Sequence, residues 1–294
     1  MQLVASKDRR SGLSMVVPMM GALVIAPTVL AVLGMGCRSS ETSKPPVSQH
    51  QRAAGSQRGD FVNTVGLQMI WVQPGTFLMG FQRGPADDTA SPGLLELERP
   101  REVTIQDGFW ISSTEVTITA YSHVVGKSPT TQGGTEEVTE SLPVTNVSWQ
   151  DAIRFCEKLS LAEQKKYRLP TVEEWEFACR GGAASDQQRR ATREELTEIA
   201  WFRDNSGNQV HPVAKLRPNS LGLYDMQGNV FEWCMTKVPQ HLLAGTPYEG
   251  QDCAFIRGGS YHNTASSCDC GSTYGCEPVD HKSPAVGFRI VIAP

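Results

Sequence analysis

Hydrophobic residues are distributed unevenly along the chain. A basic start, MQLVASKDRRSG, is followed by residues 13–36, which contain no charge and are numerous enough to span a bilayer. Pro18 and Pro27 interrupt this stretch, and small residues precede Cys37. A positive start, an apolar stretch and small residues before a cleavage point are typical of a secretory signal, so residues 1–37 predict export.

The cysteine that ends this segment is a candidate for lipidation. LGMGC, ending at Cys37, resembles the lipobox of bacterial lipoproteins, although Gly34 stands where that pattern has leucine. Lipidation at Cys37, an uncleaved membrane anchor and simple secretion remain open. Lipidation predicts a protein of the cell envelope, outside the cytoplasm and anchored to a membrane by its N-terminal lipid.

The next segment, residues 38–60, has almost no large apolar side chains and is rich in Ser, Gln, Pro and charge. Such a composition buries too little surface to offset chain entropy, so we predict a disordered tether. The hydrophobic pattern resumes at Phe61, and residues 61–294 are of a size that one domain accommodates.

Within this domain, short apolar runs predict strands. MIWVQPGTFLMG has two runs separated by Pro74-Gly75, which predicts a β-hairpin. A second extended stretch is predicted in REVTIQDGFWISSTEVT, with a break at Asp107-Gly108. Beyond Gly182 the chain is rich in Gly, Asn, Pro and Trp with little periodicity, so we expect low regular secondary structure there.

Two segments have the caps and spacing of helices. In SWQDAIRFCEKLSLAEQKK, Ser148 is a candidate N-cap with Asp151 three residues later, before a helical apolar repeat. In TVEEWEFACRGG, Thr171 and Glu174 occupy capping-box positions, and Gly181 follows the predicted end.

Charge narrows the class of partner. The formal net charge is -4 overall, and residues 61–294 carry 20 Lys/Arg against 28 Asp/Glu. An acidic domain behind a basic leader favours an exported protein and gives no reason to expect binding to nucleic acid.

Seven pieces of this domain occur in the order typical of the sulfatase-modifying factor family, also called the formylglycine-generating enzyme family: MIWVQPGTFLMG, STEVT, LPVTNVSWQDAIRFCEKLS, YRLPTVEEWEFACRGG, HPVAKLRPNSLGLYDMQGNVFEW, IRGGSY and VGFRIV. The resemblance runs over residues 67–293. It implies an irregular mixed α+β domain related to C-type lectins, and it is much more specific for fold than for activity.

The family's founding activity is oxidation of a protein cysteine to Cα-formylglycine, with oxygen and a copper(I) ion held by two cysteines. Two soft thiolates suit Cu(I). On GGSYHNTASSC the first of these positions is Asn263 and the second is Cys268, so the pair is broken. Ser260 and Cys268 are the catalytic candidates if the chain is an enzyme. A copper site at His262 and Cys268 is an alternative to a loop histidine without a metal role.

Three further positions differ from those that the resemblance implies in an active site: Phe231, Ser267 and Ala285 stand where Trp, Tyr and Asn are usual. We expect Phe231, Tyr261 and Asn263 to contact a bound substrate or ligand.

Seven cysteines follow Cys37, and an odd number leaves at least one thiol free or paired between molecules. In an exported chain, clustered cysteines indicate disulfides. The resemblance implies a bridge from Cys179 to Cys270 or Cys276.

YDMQGNVFEW resembles a calcium loop of the family. The implied ligands are the carboxylates of Asp225 and Glu232 and backbone carbonyls at Gly228 and Val230, which suit the preference of calcium for hard oxygens. The alternative is a plain turn, with Glu232 as a buried, hydrogen-bonded acid and Asn229 capping the loop.

The sequence thus favours an exported, membrane-tethered family member that lacks the complete copper-binding pair and acts as a non-catalytic peptide-binding, glycan-binding or envelope-assembly module. The alternative is a copper-dependent oxidase of the formylglycine-generating type, acting on a protein cysteine. The expected partners are a protein or peptide, with a glycan as the second choice, and a membrane through the N-terminus.

Overall fold

The computed structural model of the protein describes residues 59–80, 99–127, 141–183, 190–272 and 275–293. All of them belong to one unit of the chain, residues 54–294. The predicted signal peptide, Cys37 and the predicted tether as far as residue 58 lie outside the described residues. Within the described residues, no helix has the length and apolarity needed to cross a bilayer.

Four α-helices occur in the described part of the chain: α1 (Ile118–Val125), α2 (Trp149–Glu163), α3 (Val172–Cys179) and α4 (Arg193–Ile199). Both predicted helices are confirmed as α2 and α3. Ser148 and Thr171 are their N-caps, and each forms a reciprocal capping box with the acidic residue three positions later. These caps satisfy backbone N–H groups that the first turn leaves without partners.

The strands form three sheets. In chain order they are β1 (Phe61–Val62), β2 (Gln68–Val72), β3 (Gly75–Met79), β4 (Arg101–Ile105), β5 (Phe109–Ser112), β6 (Tyr167–Arg168), β7 (Phe231–Lys237), β8 (Cys253–Arg257), β9 (Gly275–Pro278), β10 (Val286–Gly287) and β11 (Val291–Ile292). One sheet has the order β1-β2-β5-β11-β6, another β10-β7-β8-β9, and β3 pairs with β4. The neighbours are antiparallel except for β10 and β7, which are parallel.

The predicted hairpin around Pro74-Gly75 is wrong. Both of its runs are strands, but β2 pairs with β5 and β3 pairs with β4, so the two runs do not pair with each other. Together the four strands form one long bent hairpin, broken near Pro74 on one arm and at Gly108 on the other. A Cβ on Gly108 would lie 2.3 Å from the Trp71 ring, so the bend brings the backbone against that indole. The Pro-Gly pair marks a corner between sheets and not a reversal of the chain.

Two large clusters of buried apolar side chains fill the domain. One packs α3 and its Trp175 against the β3–β4 arm, and the other packs α2 around Trp233 and Phe288. Both tryptophans are completely buried. Helices and sheets are mixed and joined by long irregular segments, as the predicted α+β class requires.

A disulfide joins Cys179, the last residue of α3, to Cys270. The predicted bridge from Cys179 is therefore confirmed with Cys270 as its partner, and Cys276 has a free, buried thiol. The bridge connects residues 91 positions apart and attaches the loop after β8 to α3.

Candidate functional site

The loop at residues 258–268 follows β8 and carries most of the candidate catalytic positions. It starts with Gly258 and Gly259, whose φ angles are 97° and 77°. A Cβ on Gly259 would lie 2.6 Å from the Cys268 sulfur. The glycine pair therefore provides both the left-handed backbone and the space that the loop needs to fold back over Cys268.

Ser260 and Asn263 contact each other inside this loop. Ser260 is fully buried, and its hydroxyl donates a hydrogen bond to Asn263 Oδ1. The Asn263 backbone N–H donates to the Ser260 carbonyl at 3.0 Å, and His262 Nδ1 lies 3.3 Å from the Ser260 hydroxyl. Asn263 thus helps to hold the loop in shape through its side-chain oxygen and its backbone N–H.

Cys268 lies in an apolar cluster that includes Leu196, Ala200 and Phe202. It is 1% exposed, and its sulfur lies 3.9 Å from the Ser260 carbonyl oxygen. Burial raises the pKa of the Cys268 thiol to about 12, so the thiol is protonated at neutral pH.

These residues do not fit a copper(I) ion. Two thiolates are the donors that suit Cu(I), whereas this loop offers one buried, protonated thiol and an amide oxygen already bonded to Ser260. His262 is the remaining nitrogen donor. Burial and the nearby Arg203 lower the pKa of its imidazole, and its Nδ1 is next to Ser260.

The other predicted contact residues lie on two different clusters. Tyr261 is partly exposed, packs against Ile118 and Val230, and meets the His262 ring edge-on at 5.0 Å. Phe231 begins β7, packs against the cluster around Trp233, and donates its N–H to the Ala285 carbonyl at 2.8 Å. Both rings are half-buried and keep part of their surface accessible.

The predicted calcium loop leads into a buried cluster of acids. Asp225 has a φ of 55° and is 3% exposed; its Oδ2 accepts the Ala214 N–H at 2.8 Å, whereas its Oδ1 has no hydrogen-bond partner. Glu115 is fully buried; its Oε1 accepts from Asn229 Nδ2 at 3.0 Å, and its Oε2 has no partner. The cluster therefore contains two buried carboxylate oxygens without partners.

Glu232 is fully engaged by other side chains. Arg289 donates to both of its oxygens, at 2.6 and 2.7 Å, and Trp175 Nε1 donates at 2.7 Å. This geometry matches the alternative in which Glu232 is a buried, hydrogen-bonded acid. Asn229 also has a structural role, because its Oδ1 accepts the His211 N–H at 3.0 Å.

Three carboxylates share the single positive charge of Arg289 in this cluster. Burial, together with the charges of Asp225 and Glu232, raises the pKa of Glu115 well above its ordinary value. Burial also raises the pKa of Asp225 to about 6, although the Ala214 hydrogen bond and Arg289 oppose the shift. The site has a deficit of positive charge.

The fit to calcium is better than the fit to copper. Asp225 and Glu115 offer hard oxygens without partners, as calcium requires, and Gly228 and Val230 lie on the same loop. A Cβ on Gly228 would lie 2.2 Å from the Trp201 carbonyl oxygen, so only glycine fits there. Among the described residues, no three His, Cys, Asp or Glu side chains are arranged to hold a metal ion, so backbone oxygens would have to complete the shell.

Glu115 was missed as a site residue by the sequence analysis. It stands 110 positions before Asp225, in STEVT, and no spacing rule connects the two segments. An acid among mostly uncharged residues could have indicated Glu115 as a site residue, because a buried carboxylate requires a partner.

Comparison with known proteins agrees with this fold. The sulfatase-modifying factor enzyme 1-like domain matches residues 59–294. The solved structure of Treponema denticola variable protein 1 has a TM-score of 0.65 and 27% identity, and covers 80% of this chain and 99% of that one.

Curated relatives include proteins of different activity. The chaperone protein LppX of Paenibacillus barcinonensis is 31% identical over 184 residues, 46% of this chain and 64% of LppX. The formylglycine-generating enzyme of Streptomyces coelicolor is 34% identical over 169 residues, 50% of this chain and 51% of the enzyme. The inactive C-alpha-formylglycine-generating enzyme 2 of Mus musculus is 35% identical over 136 residues, 42% of this chain and 39% of that protein.

Each of these matches spans less than two thirds of the relative's own length. The family match, in contrast, covers the whole of the predicted domain. The domain match and the shared fold therefore confirm the resemblance seen in the sequence: this chain belongs to the sulfatase-modifying factor family.

Proposed function

We propose that this protein is a non-catalytic member of its family, exported and tethered in the cell envelope, which binds a protein or peptide client. The observation that carries the proposal is the hydrogen bond from Ser260 to Asn263. At the position where the resemblance implies a copper-binding cysteine, this chain has an amide that serves the structure of the loop. Cu(I) disfavours such a hard, neutral donor.

The state of Cys268 supports the same conclusion. Its thiol is buried among apolar side chains, and its raised pKa keeps it protonated. The thiolate is the form that binds metals and attacks electrophiles. Cys268 therefore acts as a packing residue of the loop.

The relatives favour a protein client over a glycan. One is named a chaperone and another an inactive enzyme, so the scaffold is used in the family without the oxidase activity. Chaperones act on polypeptides. The partly exposed rings of Tyr261 and Phe231 suit such a client, because aromatic side chains contribute large contact areas at low entropic cost.

Photo-crosslinking tests the client and its site. A photoreactive phenylalanine analogue replaces Tyr261 in the full chain, and the same analogue at the exposed Lys215 is the matched control. We expect protein adducts from position 261 that are absent from position 215. Adducts of equal yield at the two positions, or none from position 261, would contradict the proposed binding face.

The second candidate function is the copper-dependent oxidase. It is favoured by the retention of both Ser260 and Cys268, whose carbonyl oxygen and sulfur lie 3.9 Å apart. Incubation of the full chain with Cu(I), oxygen and a cysteine-containing peptide tests it by mass spectrometry. We expect no aldehyde product; product that disappears in Cys268→Ser would establish the oxidase.

We also propose that a calcium ion binds in the acidic cluster, with Asp225 and Glu115 as its side-chain ligands and backbone oxygens of the loop around Gly228 and Val230 completing the shell. The ion would offset the negative charge of the cluster and hold together segments more than 100 positions apart. Glu232 contributes by positioning Arg289 and Trp175 and is not required as a ligand.

Thermal unfolding with and without calcium tests this site. We expect calcium to raise the unfolding temperature of the wild-type chain and to have no effect on Asp225→Asn, which keeps the Ala214 contact but lacks the charge. Asp204→Asn, at an exposed ion pair with Arg193, is the control that should respond like the wild type. An equal response in Asp225→Asn would rule out this site.

A further inference from the structure

A groove of about 620 Å³ lies where the chain enters the domain, remote in sequence from the loop at residues 258–268. It is lined by Phe61, Trp110, Gln164, Lys165, Lys166, Ile292 and Ala293. Phe61 belongs to β1, the edge strand of its sheet, and its ring meets the Trp110 ring edge-on at 5.9 Å. The groove thus has one aromatic and aliphatic wall and one polar wall with two lysines.

Two exposed apolar residues are close in sequence to residues that line the groove. Val62 and Leu161 are the large hydrophobic side chains most exposed among the described residues, at 65% and 82%. Val62 follows Phe61 on the edge strand. Leu161 lies in the last turn of α2, three positions before Gln164, the left-handed C-cap of that helix. Successive side chains of a strand point to opposite faces, so Val62 points away from the face of β1 on which Phe61 lines the groove. Neither exposed residue is part of the lining, and the argument for the groove rests on its own residues.

Two lysines line the groove, and one of them is paired with Glu163. Lys165 Nζ lies 4.6 Å from the centre of the Phe61 ring and 3.1 Å from Glu163, whose carboxylate also accepts hydrogen bonds from Thr64 and Tyr167. Lys166 has no ion pair within the described residues. An apolar surface next to ammonium groups fits a partner that is both apolar and anionic.

The course of the chain indicates which partner this is. Phe61 stands 24 positions after Cys37, so the domain enters its fold within a maximum reach of about 80 Å from a lipid on that cysteine. Tryptophan and tyrosine side chains, such as Trp110, concentrate at the level of lipid headgroups, and lysines bind anionic lipids.

We propose that the groove lined by Phe61, Trp110, Lys165 and Lys166 docks the domain onto an anionic bilayer surface. This inference rests on the tethering part of the proposed function. It implies a fixed orientation in which the entry end of the domain lies against the membrane.

Quenching of tryptophan fluorescence by brominated lipid tests the docking. The full chain is reconstituted in vesicles of phosphatidylglycerol and phosphatidylcholine brominated on its acyl chains. Trp110 is one of six tryptophans, and its ring centre lies 4.6 Å from that of Trp71, so we expect the lipid to quench part of the emission and the loss to be smaller in Trp110→Phe. The double variant Lys165→Glu, Lys166→Glu should abolish the loss, whereas Lys215→Glu, a lysine outside the groove, should not.

The outcomes separate docking from tethering. A chain that stays with the vesicles but shows no quenching dependent on Trp110 overturns the docking and leaves the tether in place. A chain that does not stay with the vesicles overturns both. Quenching that is unchanged in the double lysine variant overturns the role of the anionic lipid. A change in Trp110 fluorescence that depends on protein concentration in the absence of lipid overturns membrane docking and assigns the groove to a second copy of the chain.

Discussion

Arg289 faces three buried carboxylates, and its contacts decide the charge of the candidate calcium site. Its guanidinium is bonded to Glu232 at two points, and the charges of Glu115 and Asp225 further raise the pKa of Arg289. Removal of one partner of a buried ion pair strongly destabilises a protein, because the remaining charge is then buried without compensation. Arg289 therefore stabilises the domain chiefly because its positive charge compensates the buried carboxylate of Glu232.

Arg289→Met should lower the free energy of unfolding by about 3–5 kcal/mol, because it leaves Glu232 buried without a counter-charge. Urea unfolding monitored by tryptophan fluorescence measures this. Arg217→Met is the matched control, since Arg217 and Glu198 form an exposed pair and such pairs contribute about 1 kcal/mol or less. Equal losses in the two variants would contradict this role of Arg289.

Asp225 should make the metal-free protein less stable as the pH rises. Burial raises the pKa of Asp225 to about 6, above the value of about 4 in an unfolded chain. The stability contributed by its protonated form is complete below about pH 4 and is lost as the pH rises through 6. In EDTA, Asp225→Asn should therefore be more stable than the wild type at pH 7, by about 1–3 kcal/mol, and equal to it at pH 4.

Denaturant unfolding at the two pH values measures this difference. A variant that is less stable than the wild type at pH 7 in EDTA would contradict the prediction that the ionised Asp225 carboxylate destabilises the metal-free domain.

At the scale of elements, α2 and α3 followed from the sequence, whereas α1, α4 and the sheet pairing did not. Ser148 and Thr171 cap helices through residues three positions away, so the information is local. The partner of β3, in contrast, is β4, and the residues between them include 81–98, beyond the described ones. The pattern around Pro74-Gly75 is the same for a reversal and for a corner, and tertiary pairing decides between them.

A disulfide joins Cys179 to Cys270. From the sequence, the partner of Cys179 could have been either Cys270 or Cys276. The disulfide closes a loop of about 90 residues, for which a stabilisation of roughly 4 kcal/mol is expected. Peptide mapping without reduction should recover the Cys179–Cys270 pair. Reduction should lower the free energy of unfolding of the wild type by about this amount and have no effect on the double variant Cys179→Ser, Cys270→Ser. A Cys179–Cys276 peptide, or a wild type indifferent to reduction, would contradict the assignment.

At the scale of the whole molecule, the candidate site depends on residues that only the fold brings together. Glu115, Asp225, Glu232 and Arg289 come from a strand-to-helix connection, an irregular loop, β7 and the segment before β11. The sequence identified Asp225 and Glu232 because they lie in one motif. It missed Glu115, and it could not show that the Glu232 oxygens are taken by Arg289 and Trp175, because those contacts join residues 57 positions apart.

The whole domain combines the fold of the sulfatase-modifying factor family with a loop that is held together by the hydrogen bond between Ser260 and Asn263. Titration of the full chain with Cu(I) tests this claim most directly, with Cys268→Ser as the negative control and Asn263→Cys as the positive one. We predict that the wild type binds Cu(I) no more tightly than Cys268→Ser, and that Asn263→Cys binds it much more tightly because it restores a second thiol donor. Tight binding by the wild type that is lost in Cys268→Ser would contradict the account and favour copper-dependent oxidation.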